Sequence, residues 1–328
     1  MNNLPEICAG APSVEKLREQ KKEIMNLLCE NEYGFLPPKP DSAEYEHLEQ
    51  RQSFCAGKVL FRKTEIALTY NGRKADFPVY EALPKGISHP PAFVFLNFRS
   101  SVPDEYYPTE EITDSGFAVY SVCYTDITGD NGDFSSGIAK LFFDGDERTD
   151  TAPGKIALWA WAASRVLDYV ITDGTADAGR VAVIGHSRLG KTALLAGASD
   201  ERFCSAISND SGCAGAALER GKSGERIADI TRVFPFWFCK KYASWSERED
   251  EMPFDQHLLL SLIAPRKLYI ASAAEDLWAD PAAEGRSFEI MKELYSSLGC
   301  PENLGRHVRE GGHYLSRADW ARFIEFLS

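Results

Sequence analysis

The sequence predicts an α/β protein with a mostly parallel central sheet, an antiparallel N-terminal hairpin and helices on both faces. Three observations carry this prediction. Beyond Pro90-Pro91 short apolar runs alternate with segments of helical periodicity, which is how a parallel sheet buried on both faces reads. Asn71-Gly72 joins two extended segments, Thr64 to Tyr70 and Arg73 to Tyr80, a strong two-residue hairpin signal. The chain then ends on a helical segment, Arg317 to Leu327.

The elements follow in order. Val14 to Glu30 places Leu17, Ile24, Leu27 and Leu28 at helical spacing between charged residues, and Gly34 with Pro37-Pro38 stops the helix. Extended texture runs from Lys58 to Leu83. The parallel strands are expected at Ala92 to Phe98, Phe117 to Cys123, Arg180 to Ile184, Ser205 to Asn209 and Lys267 to Ser272. A helix from Gly154 to Val170 carries Trp159, Trp161 and Leu167, read as core. No linker composition or repeat divides the 328 residues. A single domain over 1–328 is therefore expected, with 1–57 as a helix and extended arm packed on it.

Charge excludes several classes of partner. Thirty-six Lys and Arg against 49 Asp and Glu give a net charge of −13, a field that repels phosphate backbones and anionic lipid surfaces. Neither nucleic acid nor membrane is an expected partner, and no apolar run approaches the ~20 residues of a spanning helix. The stretch from Met1 to Glu6 lacks the basic and apolar pattern of an export signal, which favours the cytoplasm. Eight cysteines without C-x-x-C spacing argue against a zinc site or redox pair, and no metal or cofactor is expected.

The chemistry centres on Ser187. A strand from Arg180 runs into Gly185-His186-Ser187-Arg188-Leu189-Gly190-Lys191 and then a helix. Presenting a serine on a sharp strand-to-helix turn exposes its hydroxyl and places backbone N–H groups where an oxyanion forms. The general elbow has glycine two residues after the serine; here Leu189 stands there and Gly190 follows. The second oxyanion donor is expected from backbone near Phe98 or Arg99.

Of six histidines, the candidate base is His313, after the strand candidates and just before the terminal helix, in Arg309-Glu310-Gly311-Gly312-His313-Tyr314, where the double glycine lets the loop bend towards Ser187. That is the chain order Ser, acid, His of α/β-hydrolases. Two carboxylates compete to orient it, Asp276 after the strand ending at Ser272 and Asp210 after the strand ending at Asn209. The residues leave that choice open. His257 is expected to bond within a helix N-terminus, and His186 to be structural.

These residues resemble the glucuronoyl esterases, carbohydrate esterase family 15, especially the bacterial members. The resemblance spans Pro91 to His313. It rests on Gly185 to Lys191, with its displaced glycine, and on Ser208-Asn209-Asp210-Ser211-Gly212, Leu262-Ile263-Ala264-Pro265-Arg266 and Glu275-Asp276-Leu277-Trp278-Ala279-Asp280-Pro281. It implies a metal-independent serine esterase that forms an acyl-enzyme on Ser187. The expected substrates are 4-O-methyl-glucuronoyl esters joining glucuronoxylan to lignin alcohols. It further implies that Arg188 holds the oxyanion, Lys191 contacts sugar hydroxyls, Trp278 lines the sugar pocket and Glu225 binds the sugar.

Two departures matter. His186 replaces the cysteine that many members bridge towards the histidine loop, and Asp210 replaces the usual longer Glu, which tilts the choice of acid towards Asp276. The alternatives are an acetyl-xylan or other short-acyl esterase with the same triad, or an inactive carbohydrate-binding relative.

Overall fold

The computed structural model describes residues 4–8, 10, 12–145 and 147–328; Met1, Asn2 and Asn3 of the N-terminal stretch lie outside them. Asn71 and Gly72 take φ of 48° and 76°, so both central turn positions are left-handed and the twist of the turn matches that of its strands. The turn joins β2 (Val59–Tyr70) to β3 (Arg73–Pro84), pairing Tyr70 with Arg73. Every residue of β4 (Ala92–Asn97), β5 (Ala118–Cys123), β6 (Val181–His186) and β7 (Ser205–Asn209) is buried, as the apolar runs anticipate. With β8 (Lys267–Ala273) these strands lie within one or two residues of their expected ends.

Two strands escape the sequence reading. Ser42–Phe54, placed in the extended arm, is β1, an edge strand antiparallel to β2. Leu304–Arg309 is β9, parallel to β8 and lying between it and His313. The described residues thus form a nine-stranded sheet in the order β1-β2-β3-β5-β4-β6-β7-β8-β9, antiparallel as far as β5 and parallel beyond. Chain order reverses direction at β4, and ligands of open α/β sheets bind outside the carboxyl ends of strands at such a point.

Helices cover both faces. On one, Lys155–Asp173 and Arg188–Ser199 bury Trp159, Leu167 and Leu194, and both Trp159 and Trp161 are core as expected. On the other, Arg317–Leu327 brings Trp320 edge-on to Phe95, with ring centroids 5.2 Å apart. Among the described residues no helix is long and apolar enough to cross a membrane.

A buried polar cluster fastens the hairpin to this body. Glu81, fully buried on β3, receives Arg62 Nε at 2.9 Å, Tyr169 Oη at 2.9 Å and Thr64 Oγ1 at 2.5 Å. Arg62 Nη2 reaches on to Asp173 Oδ2 at 2.7 Å, so one guanidinium ties β2 to the end of the Lys155–Asp173 helix. Removing one member of such a set strands a buried charge. Glu81→Ala is expected to lower urea-unfolding stability by about 3–5 kcal/mol, whereas replacing all three charges, Arg62→Met, Glu81→Leu and Asp173→Asn together, should restore most of it; equal losses would show that the charges are not coupled.

Candidate active site

Ser187 is the first residue beyond β6, and its backbone sits at φ 58°, ψ −128°, a conformation L-residues adopt only when their surroundings enforce it. Two contacts enforce it. Ser187 N–H donates to Asn209 O at 2.8 Å, extending the β6–β7 ladder by one bond before the chain turns. At Gly185 a Cβ would come within 2.0 Å of Leu189 O, so the turn closes only over glycine. Leu189 is fully buried, while Gly190 packs against the end of β7, where a Cβ would sit 3.0 Å from Ser211 Cβ. This close approach falls at position 190, which accounts for the shifted glycine. Arg188 and Leu189 open the helix, so their N–H groups have no intrahelical acceptor.

The loop after β9 brings in His313. Its Nδ1 lies 2.5 Å from Asp276 Oδ2, and Ala279 N–H donates to the other Asp276 oxygen at 3.2 Å. Burial opposes ionisation of Asp276, but the histidine hydrogen bond and the nearby imidazole outweigh it and hold the carboxyl below its usual range. His186 is buried against the His313 ring, with centroids 4.4 Å apart, and its Nδ1 lies 2.6 Å from Asn209 Oδ1. Burial, then the neighbouring His313, pushes the His186 imidazole down to about 3, so it packs as a neutral ring.

Asp210 lies close by but is differently engaged. It too follows its strand in a left-handed conformation, φ 47°, with its N–H on Ala271 O at 2.8 Å. Its Oδ2 faces Arg309 Nη2 at 3.3 Å, and its buried Oδ1 makes no hydrogen bond. Burial and then Glu284 raise its carboxyl to about 8 despite Arg309. Asp210, Asp276 and His313 each bring a ligand-type atom within 4.8 Å of the others, the one such group among the described residues. Arg309 beside Asp210 competes with any cation there.

Arg188 stands in a cage that sequence reasoning missed. Its guanidinium lies 4.6 Å from the Trp237 ring centre and 5.3 Å from that of Phe234, and Nη1 pairs with Asp130 Oδ2. Asp130 also accepts from Trp237 Nε1 at 2.6 Å and Tyr124 Oη at 3.0 Å. Asp130 lies in a Gly/Asn/Asp-rich stretch whose only sequence signal is that of a loop.

Lys191 is buried beneath the turn with its ammonium on Ser211 O, and burial lowers its pKa. Glu225 N–H donates to Trp278 O at 2.8 Å, and Asp280 Oδ2 accepts from Ser223 N and Gly224 N at 2.7 and 3.1 Å, which pins that loop beside Trp278. Trp278 is 58% exposed, so it borders an open surface. Phe98 N–H is engaged by Asn97 Oδ1 at 2.8 Å, and the Arg99 side chain pairs with Asp104 and Glu105. His257 bonds Pro5 O at 2.8 Å, not its own helix N-terminus.

The family whose sequence description reads glucuronyl esterase, fungi, matches residues 66–299. The chain belongs to the glucuronyl esterase family. A carbohydrate esterase of an unknown prokaryotic organism is 40% identical over 66% of this chain and 54% of its own length. The 4-O-methyl-glucuronoyl methylesterase of Podospora anserina is 30% identical over 90% of this chain and 60% of its own. The chain thus spans little more than half the length of these curated relatives. Among solved structures, a glucuronoyl esterase from Solibacter usitatus superposes with a TM-score of 0.91 at 29% identity, covering 100% of this chain and 97% of that one.

The two carboxylates predict opposite responses to pH. Asp210 is raised from 3.8 to about 8, so between those values the folded chain holds a proton that the unfolded chain has lost, and stability falls as pH rises. From pH ~5 to ~7 the unfolding free energy of the wild type should fall by about 1.4 kcal/mol per unit relative to Asp210→Asn. Parallel stability curves for the two proteins would mean that Asp210 is ionised throughout.

Proposed function

We propose that this chain is a serine carboxylic ester hydrolase acting on glucuronoyl esters of glucuronoxylan fragments, with Ser187, His313 and Asp276 as its triad. The observation that carries the reading is the 2.5 Å bond from His313 Nδ1 to Asp276, beside a serine held on a strained turn at a helix N-terminus. That bond commits Nδ1 and leaves Nε2 as the nitrogen that serves the nucleophile.

In the proposed reaction Ser187 Oγ attacks the ester carbonyl while His313 Nε2 takes its proton. The carbonyl oxygen becomes an oxyanion facing the Arg188 guanidinium and the first N–H groups of the helix. Collapse expels the alcohol, which receives the proton from His313, and leaves the uronoyl group on Ser187. Water, activated by the same imidazole, then releases the uronic acid and restores the serine. Asp276 rather than Asp210 suits the acid's role, because its environment favours the charged form that stabilises an imidazolium, whereas that of Asp210 favours the neutral acid.

The aromatic cage and Asp130 fix the Arg188 fork, so little reorganisation is needed when charge develops. Lys191, Glu225 and Trp278 are proposed to hold the sugar, Trp278 by its exposed ring and Lys191 by donors not spent on Ser211. The chain is taken to act as one domain in the cytoplasm, in keeping with eight free cysteines.

The test compares kcat/KM on benzyl glucuronate and on an acetylated xylo-oligosaccharide. A strong preference for the glucuronate is expected, with Ser187→Ala inactive, Asp276→Asn reduced about 10³- to 10⁴-fold and Asp210→Asn reduced less than tenfold. Preference for the acetyl ester would overturn the substrate. A larger loss in Asp210→Asn would reverse the assignment of the acid.

A further inference from the structure

A cavity of about 800 Å³ lies away from the serine. It opens at the far end of the helix that Ser187 begins, against Ala198, Ser199 and Asp200, so it lies about 18 Å from the nucleophile along the helix axis. Its volume falls within the range of small-molecule sites.

Its walls invert the charge of the chain. Arg18, Lys21, Lys22, Lys39, Arg165 and Arg202 line it against only Asp200 and Glu201, a local excess of four positive charges on a chain of net −13. Both wall carboxylates are already engaged. Arg202 Nη2 meets Asp200 Oδ2 at 2.6 Å, and Lys21 Nζ meets Glu201 Oε1 at 2.5 Å. Arg165 pairs with Asp168 at 2.7 Å. Arg18, Lys22 and Lys39 make no ion pair among the described residues; Arg18 lies in the field of Glu201, which Lys21 already pairs.

The lining also has order. On the Val14–Leu28 helix, Leu17, Ile24 and Leu28 point into the core, while Arg18, Lys21, Lys22 and Met25, at the i, i+3, i+4, i+7 spacing, form an adjacent stripe along the cavity. Across from it, Phe35 is 45% exposed, and Leu36 and Trp161 complete an apolar surface. An aromatic face left open to solvent beside unpaired cations suits a ligand with both a ring to stack and a carboxylate to pair.

We propose that this cavity is a second binding site, separate from the esterase centre, for uronic-acid-bearing oligosaccharides, with a sugar ring on Phe35 and the carboxylate between Lys22 and Lys39. The carboxylate is free in this ligand, whereas it is masked as an ester in the reactive group. The cavity therefore takes the unesterified uronates of the same glycan, or the product. The choice of glycan rests on the esterase reading above; the anion site rests on the cavity alone.

The experiment is a calorimetric titration with a xylo-oligosaccharide carrying one free 4-O-methyl-glucuronic acid, and with the neutral xylo-oligosaccharide of equal length. The proteins are wild type, Lys22→Glu/Lys39→Glu and Lys191→Ala, with benzyl glucuronate turnover measured in parallel. The expected result is a binding event for the acidic ligand that survives in Lys191→Ala. In the double lysine variant it weakens at least tenfold, while kcat/KM on benzyl glucuronate stays within twofold. Neutral ligand should bind at least tenfold more weakly. An event lost in Lys191→Ala but kept in the double variant would place all binding at the esterase centre and overturn the proposal. Equal affinity for neutral and acidic ligands would overturn it as well. Absent turnover beside an intact, lysine-dependent binding event would sink the esterase reading and leave the cavity site standing.

Discussion

The candidate site depends on one constraint, that strands of the parallel sheet continue their hydrogen bonding one residue past their last ladder pair before the chain turns. Ser187 N–H on Asn209 O, Asp210 N–H on Ala271 O and Ala274 N–H on Arg309 O, each at 2.8 Å, are three successive instances across β6, β7, β8 and β9. The first two end in residues at positive φ, where a left-handed step lifts the side chain off the sheet edge. The sheet thus fixes where the serine and both carboxylate loops begin, and a register slip at any of these pairs would move its side chain to the other face.

On that frame the electrostatics separate groups of similar chemistry. Two aspartates stand near one imidazole, and their surroundings drive them apart. Asp276, although buried, is held low by its bonds to His313 and to the Ala279 N–H; Asp210 is enclosed beside the buried Glu284 and is pushed up to about 8. The two histidine rings in contact also differ. His186 is buried and neutral, whereas the His313 side chain is 44% exposed. A neutral ring under His313 supports it without adding a positive charge that would oppose its protonation.

Much of this was legible from residues. The Asn71-Gly72 turn, the apolar parallel strands, the serine turn and the terminal helix all carry local signals that tertiary packing did not override. The missed strands lie at the two edges of the sheet. β1 is exposed over most of its length, and β9, Leu-Gly-Arg-His-Val-Arg, is partly exposed, so neither shows an apolar alternation. The choice between Asp210 and Asp276 was not legible, because both follow adjacent strands and only the path of the loop after β9 decides which one His313 meets. The Asp130–Trp237–Arg188 cage joins residues 107 apart in sequence, and no local pattern announces it.

The helix from Arg188 to Ser199 gives these features a common axis. Its N-terminus, with unsatisfied N–H groups and the positive end of its dipole, suits the developing oxyanion. Its C-terminus favours cations by the same dipole, and there Arg266 Nη2 donates to Gly197 O at 2.7 Å while Arg202 pairs with Asp200. The cations gathered at that end exceed what the helix and its two neighbouring carboxylates require, since Lys22 and Lys39 reach neither. The surplus is what distinguishes a cavity lined for an anion from ordinary capping of a helix end.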